Sequence, residues 1–107
     1  MAEAFLNRIG KGEVAAAYDQ LFTGSPMLAQ PMQIDLLKRQ TEASIPVYGK
    51  ILGFELYEER EFGQSLVELV YIQRLEKHPL VWKMWFYRPA AEWQTNGINF
   101  NDQINFQ

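Results

Sequence analysis

At Lys50 the spacing of apolar residues switches from helical to extended, and this one change restricts the chain to folds that place helices first and a sheet after. Before the switch, Val14, Tyr18, Leu21 and Phe22 fall at i, i+4, i+7 and i+8, the stripe of an amphipathic helix, with Ala15, Ala16 and Ala17 adding helical propensity. Phe5 and Ile9 mark an earlier face, and Gly10 and Gly12 interrupt it, so residues 2–22 are expected as helix in two pieces that Gly24 ends. Ser25-Pro26 reads as a cap followed by proline at the first helical position, opening a short turn. Gln30-Pro31 repeats the signal and opens a longer helix to about Pro46, with Leu36, Leu37, Ala43 and Val47 as its expected buried side. Pro46 stops or kinks that helix, and Gly49 supplies a left-handed turn beyond it.

After Lys50 the alternation predicts four strands: Ile51 to Glu61, Ser65 to Leu75, Leu80 to Arg88, and Trp93 to about Ile104. The gaps between them are too short for parallel crossovers, so the strands form an antiparallel meander. The expected fold class is α+β, with N-terminal helices packed on a curved four-stranded antiparallel sheet. A chain of 107 residues builds this as one domain, residues 1–107.

Setting the strands side by side through the shortest loops assigns their faces. Leu52, Phe54, Leu56, Val67, Leu69, Tyr71, Trp82, Met84 and Phe86 share one face, which the helices should cover. The opposite face carries Ile51, Glu55, Tyr57, Glu68, Val70, Ile72, Arg74, Val81, Lys83, Trp85 and Tyr87; the same parity carried into the last hairpin adds Ile98 and Phe100. A face meant only for water would alternate more cleanly, and a bare apolar patch of this extent points to a partner. A homodimer joined through Val70, Ile72, Lys83, Trp85, Tyr87, Ile98 and Phe100 is the expected use.

Charge narrows the partners further. The 10 Lys and Arg against 13 Asp and Glu give net charge −3, and the densest cluster is acidic: Glu55, Glu58, Glu59 and Glu61 around Arg60. Without a basic stripe, nucleic acid and anionic membrane are excluded as expected partners. The absence of cysteine excludes disulfides, thiolate metal sites and a cysteine nucleophile. No signal-peptide pattern or apolar run of membrane-spanning length occurs, so the default compartment is the cytoplasm, or an exported location if a leader precedes the chain.

The small-acid-x-x-Ala-x-Tyr first-helix pattern matches Gly12-Glu13-Val14-Ala15-Ala16-Ala17-Tyr18. With it go Tyr48-Gly49-Lys50, Gly53-Phe54-Glu55, Trp85-Phe86-Tyr87-Arg88-Pro89, Trp93 and Phe100-Asn101-Asp102. With this order of elements the chain resembles the nuclear transport factor 2-like (cystatin-like, SnoaL-like) superfamily, and within it the small bacterial members. The resemblance implies a cone in which the sheet wraps the helices around a pocket, and pairs of copies packed through outer sheet faces. It also implies a choice between a non-catalytic binding or association domain and a small cofactor-free enzyme of the cyclase, dehydratase or isomerase kind. Tyr18 lies where an isomerase tyrosine donor would sit, but no position matches the general-base aspartate, and Asp102 lies too near the C-terminus for that role.

No residue is therefore assigned a catalytic role, and neither a metal nor a cofactor is expected. His78, the one histidine, falls in a hairpin loop and is expected to be structural. Glu55, Glu59 and Glu61 are expected on one strand face, as a solvated edge that discourages aggregation rather than a cation cage. Tyr18, Tyr71, Gln73, Met84, Arg88 and Asn99 are the expected lining of a pocket for a small apolar or carboxylate ligand; satisfied polar groups at the core margin is the other reading of the polar members. Arg88 on an apolar face needs a partner, for which Asp19 or a ligand carboxylate is available.

Overall fold

The computed structural model describes residues 2–102. Three helices, α1 (Ala2–Gly10), α2 (Val14–Leu21) and α3 (Pro31–Ser44), precede four strands, β1 (Ile51–Phe62), β2 (Leu66–Leu75), β3 (Pro79–Tyr87) and β4 (Gln94–Asn101). The strands form one open antiparallel sheet in the order β1-β2-β3-β4, with the helices packed against it: an α+β fold. The expected extension of the last strand to Ile104 lies outside the described residues.

Local chemistry sets the boundaries. The Ser25 hydroxyl accepts from the Met27 N–H and caps the 3-10 turn Pro26–Ala29, as its sequence predicts. A second 3-10 turn, Ile45–Tyr48, carries Pro46 past the end of α3, and Gly49 follows with φ +87. The buried side of α3 differs from expectation. Ile34 and Thr41 face inward, while Leu36 and Val47 are exposed. The inward stripe passes through a threonine because the Thr41 hydroxyl finds a buried partner in Tyr18 at 2.7 Å.

Phe5 joins the layers. Its ring meets Tyr18 edge-on at 5.0 Å and Trp82 at 5.3 Å, so α1, α2 and the centre of the sheet share one aromatic cluster. Each such pair adds about 0.5–1.5 kcal/mol beyond simple burial. Leu6, Ile9, Phe22, Leu80 and Met84 are fully buried around it. Thr95 ties the chain's two ends together: its hydroxyl donates to the Leu21 carbonyl at 2.7 Å, and its own carbonyl accepts from Ser25 at 2.5 Å.

The registers explain which face assignments hold. Across β2 and β3, Tyr71 pairs with Trp82 and Leu69 with Met84, two residues from the shortest-loop expectation; an even shift leaves the faces unchanged. Across β3 and β4, Phe86 pairs with Thr95 but Trp85 pairs with Gly97, so β4 holds one extra residue, Asn96. That bulge inverts the alternation beyond it. Ile98 pairs with Met84 and Phe100 with Trp82, both on the helix-facing side, while Asn99 pairs with Lys83 on the outer side. Ile98 and Phe100 therefore leave the expected outer set, and Asn99 leaves the expected inner one.

A second irregularity lies at Tyr57. Leu56 pairs with Tyr71 and Glu58 with Val70, so Glu59 stands opposite Leu69 and Glu61 opposite Val67 on the inner side. Glu55, opposite Ile72, stays on the outer side, and the three acids do not share a face. β1 also overhangs the helices, which leaves Leu52 and Leu56 about half exposed rather than in the core.

Candidate functional site

Four of the six residues expected to line a pocket, Tyr18, Tyr71, Gln73 and Met84, are buried. Tyr18 is fully buried, its hydroxyl donating to Thr41, whose own hydroxyl donates to the Leu37 carbonyl at 2.7 Å. Burial pushes the Tyr18 hydroxyl well above the ordinary tyrosine range, against a smaller lowering by the Thr41 bond. Tyr71 is buried edge-on to Phe54 at 5.8 Å, and Met84 is buried in the core. Gln73 is fully buried and accepts from the Trp82 indole at 2.9 Å, while its Nε2 has no hydrogen-bond partner.

Arg88 sits apart at the end of the sheet, over the Trp93 ring at 4.9 Å and donating to the Gln64 carbonyl at 3.1 Å. Asp19, its expected partner, pairs with Lys38 at 2.8 Å instead. Asn99 borders a cleft of about 330 Å³ shared with Leu37, Gln40, Ser44 and Phe100 at the β4 edge. The six do not converge.

His78 has company that its loop position does not reveal. Its Nε2 lies 2.5 Å from the Asp102 carbonyl, its ring tilts against Tyr48 at 5.2 Å, and the Tyr48 hydroxyl donates to the Asp102 carboxylate. That carboxylate raises the Tyr48 hydroxyl above its ordinary range, chiefly through the hydrogen bond. Tyr48 and Asp102 border a small polar hollow of about 140 Å³. The Asp102 carboxylate accepts from the tyrosine rather than from His78, so it does not orient the imidazole as a base–orienter pair requires.

A larger groove lies where α1, α2, the end of α3 and the start of β1 meet, with a volume of about 480 Å³. That is within the range of roughly 300–1,000 Å³ typical of small-molecule sites. Ile9, Val14, Ile45 and Ile51 give it an apolar floor, and Lys11, Lys50 and Glu42 stand on its rim. Glycines set both lysines in place. Lys11 lies in the tight turn between α1 and α2, where the Gly12 N–H donates to the Ile9 carbonyl at 3.0 Å and Gly12 has φ +78. Lys50 follows Gly49, and the Glu76 carboxylate accepts from the Lys50 backbone N–H at 2.7 Å. Gly49 has φ +87, a conformation that favours glycine, and a β-carbon there would stand 3.1 Å from that carboxylate, a tight contact.

Among the described residues neither lysine forms an ion pair. An apolar floor beneath two unpaired ammonium groups can hold a molecule with an apolar body and an anionic end. The sequence signal for this groove is the placement of Lys11 and Lys50 beside Gly10, Gly12 and Gly49, glycines that mark helix breaks and also carry the cations.

Among the described residues no three His, Asp or Glu side chains gather to hold a metal ion, and no helix is long and apolar enough to cross a membrane. Comparisons with protein-family models, with curated proteins and with solved structures find no match to this chain.

Proposed function

We propose that the chain is a non-catalytic binding domain whose groove takes a small carboxylate with an apolar body. The observation that carries this reading is the pairing of an apolar floor, Ile9, Val14, Ile45 and Ile51, with two lysines that have no acidic partner among the described residues. The ammonium groups would meet the carboxylate at the rim while the apolar body displaces water from the floor. The resemblance to nuclear transport factor 2-like proteins, many of which bind without catalysis, is in keeping with it.

Calorimetric titration with decanoate, decanol and decylamine tests the reading. Decanoate should bind best, and Lys11→Glu with Lys50→Glu should weaken it by about tenfold or more. Equal binding of decanol, or indifference to the lysine changes, would remove its basis.

A second reading, self-association through the outer sheet face, has its own observation. Val70 and Val81 are buried there apart from the helix-facing core, and Ile72, Trp85 and Tyr87 lie beside them, partly exposed. Lys83 stands across the same face from Glu55 and Glu58, a charge division that a two-fold axis would make complementary. Since Val70 and Val81 are already covered within one copy, the driving force would come from Ile72, Trp85 and Tyr87. Light scattering across a concentration series tests this, with Trp85→Glu expected to give a monomer of unchanged helical content.

A further inference from the structure

The bulge at Tyr57 gives β1 two different faces along its length. It turns Glu59 and Glu61 inward, opposite Leu69 and Val67, on the side where Leu56 is half exposed. Beside them is an apolar hollow of about 210 Å³, lined by Ala2, Val67, Leu69, Phe86 and Trp93. Bulges of this kind re-aim side chains, commonly beside functional surfaces. Here the result is an apolar trough with carboxylates along its outer wall.

We propose that this trough, the inner face of β1 from Leu56 onward with the facing start of β2, is the docking site for a basic amphipathic helix of a partner protein. Three features argue for that occupant. The first is shape. Elsewhere on this face helices cover the sheet, and neighbouring strands lie about 4.8 Å apart, so two strand widths accept one helix about 10 Å across.

The second is chemistry: Leu56, exposed, and Val67 and Leu69, half-buried, offer apolar surface to one stripe of such a helix, the usual helix-in-groove arrangement.

The third is charge. Glu59 and Glu61 line the β1 side, and Glu3 of α1 lies on the other. Burial first, and then the fields of Glu3 and Glu59, raise the Tyr71 hydroxyl, so both acids act on the floor of this face. The cation at the trough's end, Arg88, is already occupied by Trp93 and the Gln64 carbonyl. Lysines flanking the apolar stripe of the incoming helix would meet the carboxylates.

The test exploits the bulge, which sets Glu59 and Glu61 on the opposite face of the sheet from Glu55 and Glu58. A fluorescein-labelled peptide of leucine and lysine at helical spacing is titrated by fluorescence anisotropy against the native chain. The same titration is run on Glu59→Lys/Glu61→Lys and Glu55→Lys/Glu58→Lys, which make the same change in net charge. The inner pair should weaken binding by about tenfold or more, and the outer pair by no more than about twofold. All four positions are exposed, and far-UV circular dichroism verifies that each variant keeps its fold. Equal losses in both variants would reduce the effect to net charge and overturn the proposal. So would equal binding of a scrambled peptide that has no apolar stripe. Self-association of the native chain that Leu56→Asp abolishes would place a second copy in the trough and overturn it as well.

Discussion

The indole of Trp85 lies across the outer face of the sheet, its Nε1–H donating to the Glu68 carboxylate at 2.8 Å while its six-membered ring rests over Gly97. Trp85 and Glu68 are direct cross-strand partners, and Gly97 is the partner of Trp85 on the other side. One side chain thus spans three strands. A β-carbon at position 97 would lie 3.3 Å from the ring, so the absence of a side chain there is what lets the indole lie flat. Gly97→Val should lift the ring, break the bond to Glu68 and destabilise the fold by about 1–2 kcal/mol. Glu68→Gln keeps an acceptor and should stay within about 0.5 kcal/mol. Urea denaturation followed by tryptophan fluorescence measures both.

The hydroxyls of Tyr18 and Thr41 make an unequal pair. Thr41 donates to the Leu37 carbonyl, so Tyr18 donates to Thr41. Tyr18→Phe leaves Thr41 with a partner and should cost about 0.5–1.5 kcal/mol, whereas Thr41→Val strands a buried phenol and should cost about 1–3 kcal/mol. The order of the two midpoints in urea is the measurement, and the reverse order would show that Tyr18 is not the donor.

Alkaline pH should unfold the protein through the same tyrosine. The folded Tyr18 hydroxyl is held above its unfolded value of about 10 by burial. Its contribution to stability is therefore complete below about pH 10 and is lost as pH rises from there toward the folded value, because only the unfolded chain ionises readily. Melting temperatures should fall above pH 10, and less steeply in Tyr18→Phe. Tyr48 and Tyr71 are shifted in the same direction and supply the residual slope.

Gln73 offers a reciprocal test at low pH. Its Oε1 accepts from Trp82, and its buried amide nitrogen is unpaired. Gln73→Glu keeps the acceptor but places an ionisable group in a fully buried position, where burial favours the neutral acid. The folded value is then raised, so stability is intact below the unfolded glutamate value of about 4.3 and is lost as pH rises. Melting curves from pH 4 to pH 7 should show this variant, unlike the native chain, losing stability as pH rises.

The kinds of element and their order were legible in the change of period at Lys50, and the caps at Ser25 and Gly49 in local chemistry. What the alternation does not carry is its own phase errors. Asn96 and Tyr57 are ordinary residues whose extra position in the ladder alters no composition. Yet each reverses every side chain beyond it, which moved Ile98, Phe100 and Asn99 across the sheet and separated Glu59 and Glu61 from Glu55. The burial of Tyr18 has a different origin, volume: Phe5, Tyr18 and Trp82 are large enough to meet in the middle. The groove that does form needs Lys11 and Lys50 brought together from separate turns, a juxtaposition set by three-dimensional packing rather than by spacing.

The bonds joining Ser25 and Leu21 to Thr95 bear on how the chain folds. Each strand of the meander pairs with its immediate successor, so the three hairpins can zip through short loops on a fast, local timescale. The two bonds at Thr95 instead close separations of 70 and 74 residues. Loop-closure entropy places such contacts late. Synthesis supplies the helices first, but their aromatic stripe waits for β3, and the Leu21–Ser25 turn waits for β4. The native layer is therefore sealed at its C-terminal strand, and a chain truncated before Thr95 would retain hairpins and helices without the clasp that holds them together.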